Sequence, residues 1–242
     1  MIRKLLILIV YILTIFLSVG WAGNIPQSQL SALELLFNST SGDSWIWQPN
    51  FTISGIPWNF SVHQPNPCLA AWQGLECTIN CSSLPSCDII GLQLSSYNLS
   101  GTIPANAVSQ LPLLEAFNLR YNRRLVGSIP SAIGSLTLLT LFNIAESAIT
   151  GPIPGSVSTL TRMVYFDVDG NDLSGTVPDG IRNWFPLEVF VVAFNVRLTG
   201  TIPSVLGSLS SLSIVSFAAN SMSGPVPSSL ARLTNLVFFS CR

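Results

Sequence analysis

The apolar positions of this chain recur on two superimposed periods. Over much of its length the residues read L-x-x-L-x-x-[F/L/V]-x-[L/I/V]-x-x-N, and each such run leads into G-x-[I/V]-P. The glycines of that second phrase stand at 101, 127, 151, 175, 200 and 224, at intervals of 26, 24, 24, 25 and 24 residues. A fixed period of this size marks a stacked repeat, because one unit cannot bury its own apolar face whereas several stacked units share a continuous core. Within a unit, the alternation at Phe166-x-Val168 predicts a short strand with its apolar side chains directed inward. Leu92, Phe117, Phe142, Phe166, Phe190, Val215 and Phe239 then form one inward column, a spine through the stack. Tyr97, Asn122, Ser147, Asn171, Asn195 and Asn220 form a second column where the backbone leaves the strand. An Asn amide, donor and acceptor at once, can satisfy the backbone groups of such a turn. The glycine permits a sharp bend, and the proline ends ladder pairing. Units two and five each carry an extra residue, in NRRLVG and NVRLTG, which lengthens their intervals. A seventh unit begins with Leu233, Leu236, Phe239 and Cys241, and Cys241 falls at an inward position that reads as core.

The residues ahead of the repeats follow other patterns. Arg3 and Lys4 precede an uncharged apolar run over residues 5–22, with Gly20 and Ala22 at its end. A basic start, an apolar middle and small residues before a cut describe a secretory signal peptide over residues 1–22. An uncleaved anchor is the rival reading, since the run just reaches membrane-spanning length. Either way residues 24–242 lie outside the cytosol, secreted or at the cell surface. SQLSALELLFNSTSGDSW predicts an amphipathic helix and a turn, with Leu30, Leu33 and Leu36 on one face. Trp45, Trp47, Trp58 and Trp72 read as the packing of a lid that covers the open end of the spine. Sequons at Asn38, Asn50, Asn59 and Asn98 are expected to carry sugar, whereas Asn80, with Cys81 as its middle residue, is the poorest acceptor. Cys68, Cys77, Cys81 and Cys87 cluster as in a disulfide-bearing secreted segment, and four cysteines allow three pairings.

Composition narrows the function. Charged residues are 9% of the chain and the net charge is −1, so no basic field suited to nucleic acid is present. The surface must be wetted by Ser, Thr, Asn, backbone groups or sugar. No constellation for catalysis, a cofactor or a metal emerges: His63 is the one histidine, Lys4 is the one lysine, and no nucleophile-elbow, zinc-protease or phosphate-loop motif occurs. DVDGND at 167–172 starts like a calcium loop but has Asp172 where Gly is required and Pro178 where Glu is required. What remains is surface. The residues between the inward positions include Arg120, Tyr121, Asn143, Glu146, Asp167, Asp169, Val191 and Phe194, a strip running from an Arg–Tyr pair through acids to an apolar patch. An exposed aromatic beside aliphatic residues is the kind of anchor a protein or peptide partner uses.

The repeat resembles the plant-type leucine-rich repeat of receptor-kinase ectodomains and polygalacturonase-inhibitor-like proteins, over roughly residues 84–242. PCLAAWQGLEC resembles the PC…WxGVxC element of that family's N-terminal cap, with Cys68, Trp72, Gly74 and Cys77 matching. The resemblance implies an α/β leucine-rich-repeat solenoid, a right-handed superhelical horseshoe with a parallel sheet on its concave face. It implies a cap over residues 23–88, repeats over 89–242, and pairing of Cys68 with Cys77, which leaves Cys81 with Cys87. It further implies a non-catalytic extracellular module that takes a protein, peptide or oligosaccharide partner on the concave face. A receptor ectodomain, with a membrane span beyond Arg242, is the first expectation. A secreted inhibitor of a wall-degrading enzyme and a structural or adhesive wall protein are the alternatives.

Overall fold

The computed structural model describes residues 24–47, 55–62, 65–79, 81, 83 and 86–241. The expected leader, the sequons at Asn50 and Asn80, and His63 lie outside the described residues. In chain order the elements are α1 (Gln27–Ser39), β1 (Leu75–Cys77), β2 (Ile89–Gln93), β3 (Ser100–Thr102), α2 (Ala105–Ser109), β4 (Ala116–Asn118) and β5 (Arg124–Val126). Then follow β6 (Leu141–Asn143), β7 (Thr150–Pro152), β8 (Tyr165–Asp167), β9 (Asp172–Gly175), β10 (Val189–Val191), β11 (Arg197–Leu198), β12 (Ile214–Ser216) and β13 (Phe238–Ser240). The main sheet has the order β1-β2-β4-β6-β8-β10-β12-β13. It is parallel from β2 onward, and β1 of the cap closes its edge antiparallel to β2. Each crossover takes one coil and begins at the G-x-[I/V]-P phrase, whose last proline leads into a single 3₁₀ or α turn. Pro130, Pro154 and Pro178 sit at φ −68° to −70°, which starts that turn without strain.

The alternating strand residues form one spine. The rings of Phe117, Phe142, Phe166 and Phe190 stack at centroid separations of 5.6, 5.5 and 5.7 Å, and each is at most 2% exposed. Trp184 fills the space behind, 5.0 Å from Phe166, and its Nε1–H donates to the Val157 carbonyl at 2.9 Å. The column ends less well covered. Phe239 is half-buried, and Cys241, expected in the core, is exposed and unpaired. The reason is position, since β13 is the last strand of the sheet and only β12 lies against it.

The asparagine column stitches coil to coil. Asn171 Nδ2 donates to the carbonyls of Ile144 and Val168, one coil apart, while its Oδ1 accepts the Ile149 N–H. Asn122 and Asn195 repeat the arrangement. After the longer unit five, Asn220 instead accepts from the Asn195 N–H at 2.8 Å and donates to Val192 and Phe217. Ser147 follows the other long unit, and its buried hydroxyl has no partner among the described residues. Ser147→Asn would place the same amide opposite the Asn122 N–H and the Leu119 and Ile144 carbonyls. It is expected to stabilise the fold by about 1 kcal/mol, read as a thermal midpoint raised by about 2–4 °C.

The glycine column has a packing cause beside its backbone one. Gly200 has φ +86°, and a Cβ there would lie 2.8 Å from Thr176 Cγ2 of the preceding coil. At Gly127, φ is +85° and the neighbour is Thr102 Cγ2, at 3.0 Å. The side chain after one glycine thus lies on the next glycine, which keeps the coils in close contact. Hydroxyls tie the outside of the stack. Those of Thr140, Thr150, Ser156, Thr199, Ser213 and Ser229 each donate to a carbonyl of the preceding coil at 2.7–3.0 Å. A chain with few charges therefore satisfies its exposed carbonyls with Ser and Thr.

The cap seats on the first coil through α1. Leu33 and Leu36 are buried, and Gln29, 3% exposed, donates to Asp88 Oδ1 at 2.7 Å and accepts the Ile89 N–H at 2.9 Å. Beneath it Phe37, Trp45, Trp58, Phe60 and Trp72 pack as an aromatic cluster. The Trp45 and Trp58 indoles donate to the carbonyls of Thr40 and Gln73. Cys68 is joined to Cys77 and Cys81 to Cys87, so the three close sulfur ligands Cys68, Cys81 and Cys87 are disulfide-bound.

Candidate recognition face

The outward residues of the sheet form two parallel rows. The first is Ala116, Leu141, Tyr165, Val189, Ile214 and Phe238, and the second is Gln93, Asn118, Asn143, Asp167, Val191 and Ser216. The first row is apolar except for the Tyr165 hydroxyl and becomes more exposed along the stack, reaching 37% at Ile214 and 51% at Phe238. The strip read from sequence omits it. The alternation that directs Phe166 inward also directs Tyr165 outward, so the signal was present one residue ahead of every spine position.

The second row is its floor. Asn143 and Asp167 are 6% and 5% exposed. Each turns a side-chain oxygen back to the N–H two residues on, Asn143 to Ala145 at 3.0 Å and Asp167 to Asp169 at 3.1 Å. Asn118 does the same to Arg120. These amides and carboxylates hold the bend by which the chain leaves the strand. The bend then passes through a left-handed residue in every coil: Ser96, Tyr121, Glu146, Gly170, Phe194 and Ala219 have φ between +50° and +65°. Left-handed backbone costs a non-glycine residue roughly 1–2 kcal/mol. Here the N–H of Tyr121, Glu146 and Phe194 gains a bond to the next coil's carbonyl at 2.8 Å, one rung beyond the strand.

These bends carry exposed aromatic side chains. Phe194 is 59% exposed and Tyr121 45%. The Arg120 guanidinium lies 4.2 Å over the Tyr121 ring and donates to its hydroxyl at 2.6 Å. Glu146 pairs with Arg123 at 3.0 Å. Arg120, Tyr121, Glu146 and Asp169 are thus brought into one neighbourhood, with Val191 and Phe194 on the coil beyond. Two polar atoms here are shielded from solvent and unbonded within the described residues, Arg120 Nε and Asp169 Oδ1. Buried polar atoms without partners are uncommon, and a bound group can supply what they lack.

The electrostatics follow from crowding. Burial raises the Asp167 carboxyl above the usual range, against hydrogen bonds from Asp169 N–H and the Tyr165 hydroxyl and the Arg120 charge. Burial also raises Asp169, helped by the charges of Asp167 and Glu146. The Tyr165 hydroxyl, buried and beside Asp167, is pushed up to about 12. A carboxyl whose folded pKa exceeds its unfolded one binds protons more tightly when folded, so stability falls as pH rises through the interval between the two. For Asp167 and Asp169 that interval begins at the ordinary carboxylate value of 3.8 and extends upward. The thermal midpoint of Asp167→Asn is therefore expected to fall less than that of the parent between about pH 4.5 and about pH 7. An identical pH profile for both would refute the burial argument.

No protein-family model and no curated protein matches the chain. Solved structures do. The chain is similar to the ectodomain of the Arabidopsis receptor kinase HAESA in complex with an N-terminally extended IDA peptide hormone, at TM-score 0.67 and 26% identity, over 89% of this chain and 33% of that one. It is similar to the plant peptide hormone receptor RGFR1 in complex with RGF2, at TM-score 0.62 and 25% identity, over 70% of this chain and 29% of that one. It is also similar to a plant ice-binding protein, at TM-score 0.69 and 25% identity, over 86% of this chain and 61% of that one. The chain thus spans about a third of the length of the two receptors. Among the described residues no helix is long and apolar enough to cross a membrane. In repeat pattern, sheet topology and overlay, this chain is a plant-type leucine-rich-repeat solenoid.

Proposed function

We propose that the chain is a non-catalytic extracellular recognition module that takes an extended peptide segment of a protein partner along its sheet face. The observation that carries this reading is the continuous apolar row Leu141, Tyr165, Val189 and Ile214 beside a shielded acidic pair, Asp167 and Asp169. An extended segment lying across the strands would set apolar side chains on that row. A basic side chain would stand over the acids and relieve the crowding of like charge. The overlays on two receptors solved with peptide hormones support a peptide before an oligosaccharide. The test is selection from a random peptide library displayed against the secreted chain. Enriched sequences should carry Lys or Arg flanked by apolar residues. Asp169→Asn should weaken the selected peptides by about fivefold, the equivalent of about 1 kcal/mol, and Val189→Arg should abolish binding. Saturable binding indifferent to both changes would move the site elsewhere. A secreted inhibitor would use the same face, and capture of a wall-degrading enzyme by parent but not Val189→Arg protein would favour that reading.

A second reading draws support from the outside of the coils. Thr102, Ser128, Thr176 and Thr201 are exposed at the same step of successive units, and Pro152 interrupts them. Repeated hydroxyls at coil spacing, with the overlay on a plant ice-binding protein, fit adsorption to ice. Inhibition of ice recrystallisation that is lost in Thr176→Arg and kept in Val189→Arg would establish it.

A further inference from the structure

A cleft of about 270 Å³ opens in the cap, where α1 ends against the turn over residues 58–61. Phe37, Trp58 and Phe60 give it an aromatic lining, with the Phe37 and Phe60 rings 5.4 Å apart and Phe37 6.3 Å from Trp58. The exposed carboxylates of Glu34 and Asp43 stand on its rim. Aromatic walls with acceptors at the edge suit a pyranose ring, whose C–H face packs on aromatic carbon while its hydroxyls donate outward. The volume is just under the range of pockets for drug-sized ligands, room for one ring.

Two sequon asparagines, Asn38 and Asn59, line this same cleft. They are not equivalent. At Asn38 the sequon hydroxyl belongs to Thr40, which is 0% exposed and donates to the Leu36 carbonyl at 2.6 Å, so the sequon closes once α1 forms. At Asn59 both Asn59 and Ser61 are exposed, and Asn59 Oδ1 accepts the Ser61 N–H at 2.9 Å. That bond occupies the carbonyl of the side-chain amide and leaves Nδ2 free to react.

We infer that Asn59 carries an N-linked glycan whose first sugar lies in this cleft against Phe37 and Phe60. The inference rests on export of the chain, which brings it to the glycosylation machinery. In the modification, Asn59 Nδ2 bonds to C1 of an oligosaccharide carried on a lipid pyrophosphate. The C1–O bond breaks, the lipid pyrophosphate leaves with the electron pair, and Nδ2 loses one proton. The sugar then covers the edges of Phe37 and Phe60 that the bare cap leaves partly exposed, and the cap gains stability from its own glycan.

The test compares the full chain from a eukaryotic secretory host with its Ser61→Ala variant, which keeps Asn59 and removes the sequon. Glycopeptide mass spectrometry should show Asn59 occupied in the parent. The variant should melt about 2–4 °C lower, the shift expected for about 1 kcal/mol in a chain of this size. An endoglycosidase that leaves one N-acetylglucosamine should keep the parent's midpoint. The acetyl methyl proton of that sugar should be shifted upfield by the rings, and Phe60→Leu should return the shift toward its free value. An unoccupied Asn59 beside sugar at another sequon overturns the inference while leaving export intact. Sugar at no site overturns export and the inference with it. Occupancy with an unshifted methyl and equal midpoints leaves the glycan in solvent and overturns the docking.

Discussion

Phe166→Ala is expected to destabilise the fold by about 4 kcal/mol, the middle of the range for removing a buried aromatic side chain. The ring is 1% exposed and stacks between Phe142 and Phe190, with Trp184 across its edge. Its neighbours are rigid parts of adjoining coils, so the space cannot collapse without shifting the inter-coil ladder. In a stack held by nearest-neighbour contacts, the loss falls on two interfaces at once, those of β8 with β6 and with β10. Amide exchange in those three strands should quicken together, while α1 and β2 keep their protection. The same substitution at Phe239, half-buried at the end of the stack, should cost only about 1–2 kcal/mol, in proportion to the area it hides. Chemical denaturation of the two variants measures the contrast. Similar losses at Phe166 and Phe239 would mean that the aromatic column is not one continuous core.

That column was readable in the sequence because each member recurs at the coil period and lies two residues before a second apolar position. The asparagine and glycine columns were readable for the same reason, and so was the amphipathic run of α1. The candidate site was less so. Asp167 and Asn143 look like surface residues in the alternation, yet the backbone bends sharply two residues later. Their side chains are drawn down to hold that bend, which lifts the residue three positions on, at the left-handed position, into view. A left-handed column occupied by Ser, Tyr, Glu, Gly, Phe and Ala has no common side-chain chemistry to betray it. Its cause is an extra backbone rung to the neighbouring coil, which leaves no imprint on residue type. Cys241 failed differently: an inward position is buried only where the next coil covers it. The cleft between Phe37 and Phe60 joins segments more than twenty residues apart, and nothing in either segment names the other.

Asn195→Ala is expected to cost about 3 kcal/mol, nearly as much as the ring, although it removes only an amide. The residue is 0% exposed. Its Nδ2 is placed among three carbonyls, those of Val168, Val192 and Ala193 at 2.9–3.1 Å, and its Oδ1 accepts the Leu173 N–H at 3.0 Å. Alanine would leave that N–H orphaned in a turn that water does not reach, while the Val168 carbonyl keeps only its bond from Asn171 Nδ2. Each orphaned buried group costs about 1–3 kcal/mol. Asn195→Asp separates the two halves of the bond set. The carboxylate keeps the acceptor for Leu173 but sets negative charge against carbonyl oxygens, so it should be at least as damaging as alanine at neutral pH and recover on acidification, when a protonated oxygen can donate. The comparison also fixes where the coupling lies. Because Asn195 bonds both its own coil and the one before, its loss should speed exchange of the Leu173 amide first, ahead of β12 on the other side. Equal protection at Leu173 in parent and Asn195→Ala protein would show that the ladder amide is dispensable and that the coils are held by their apolar faces alone.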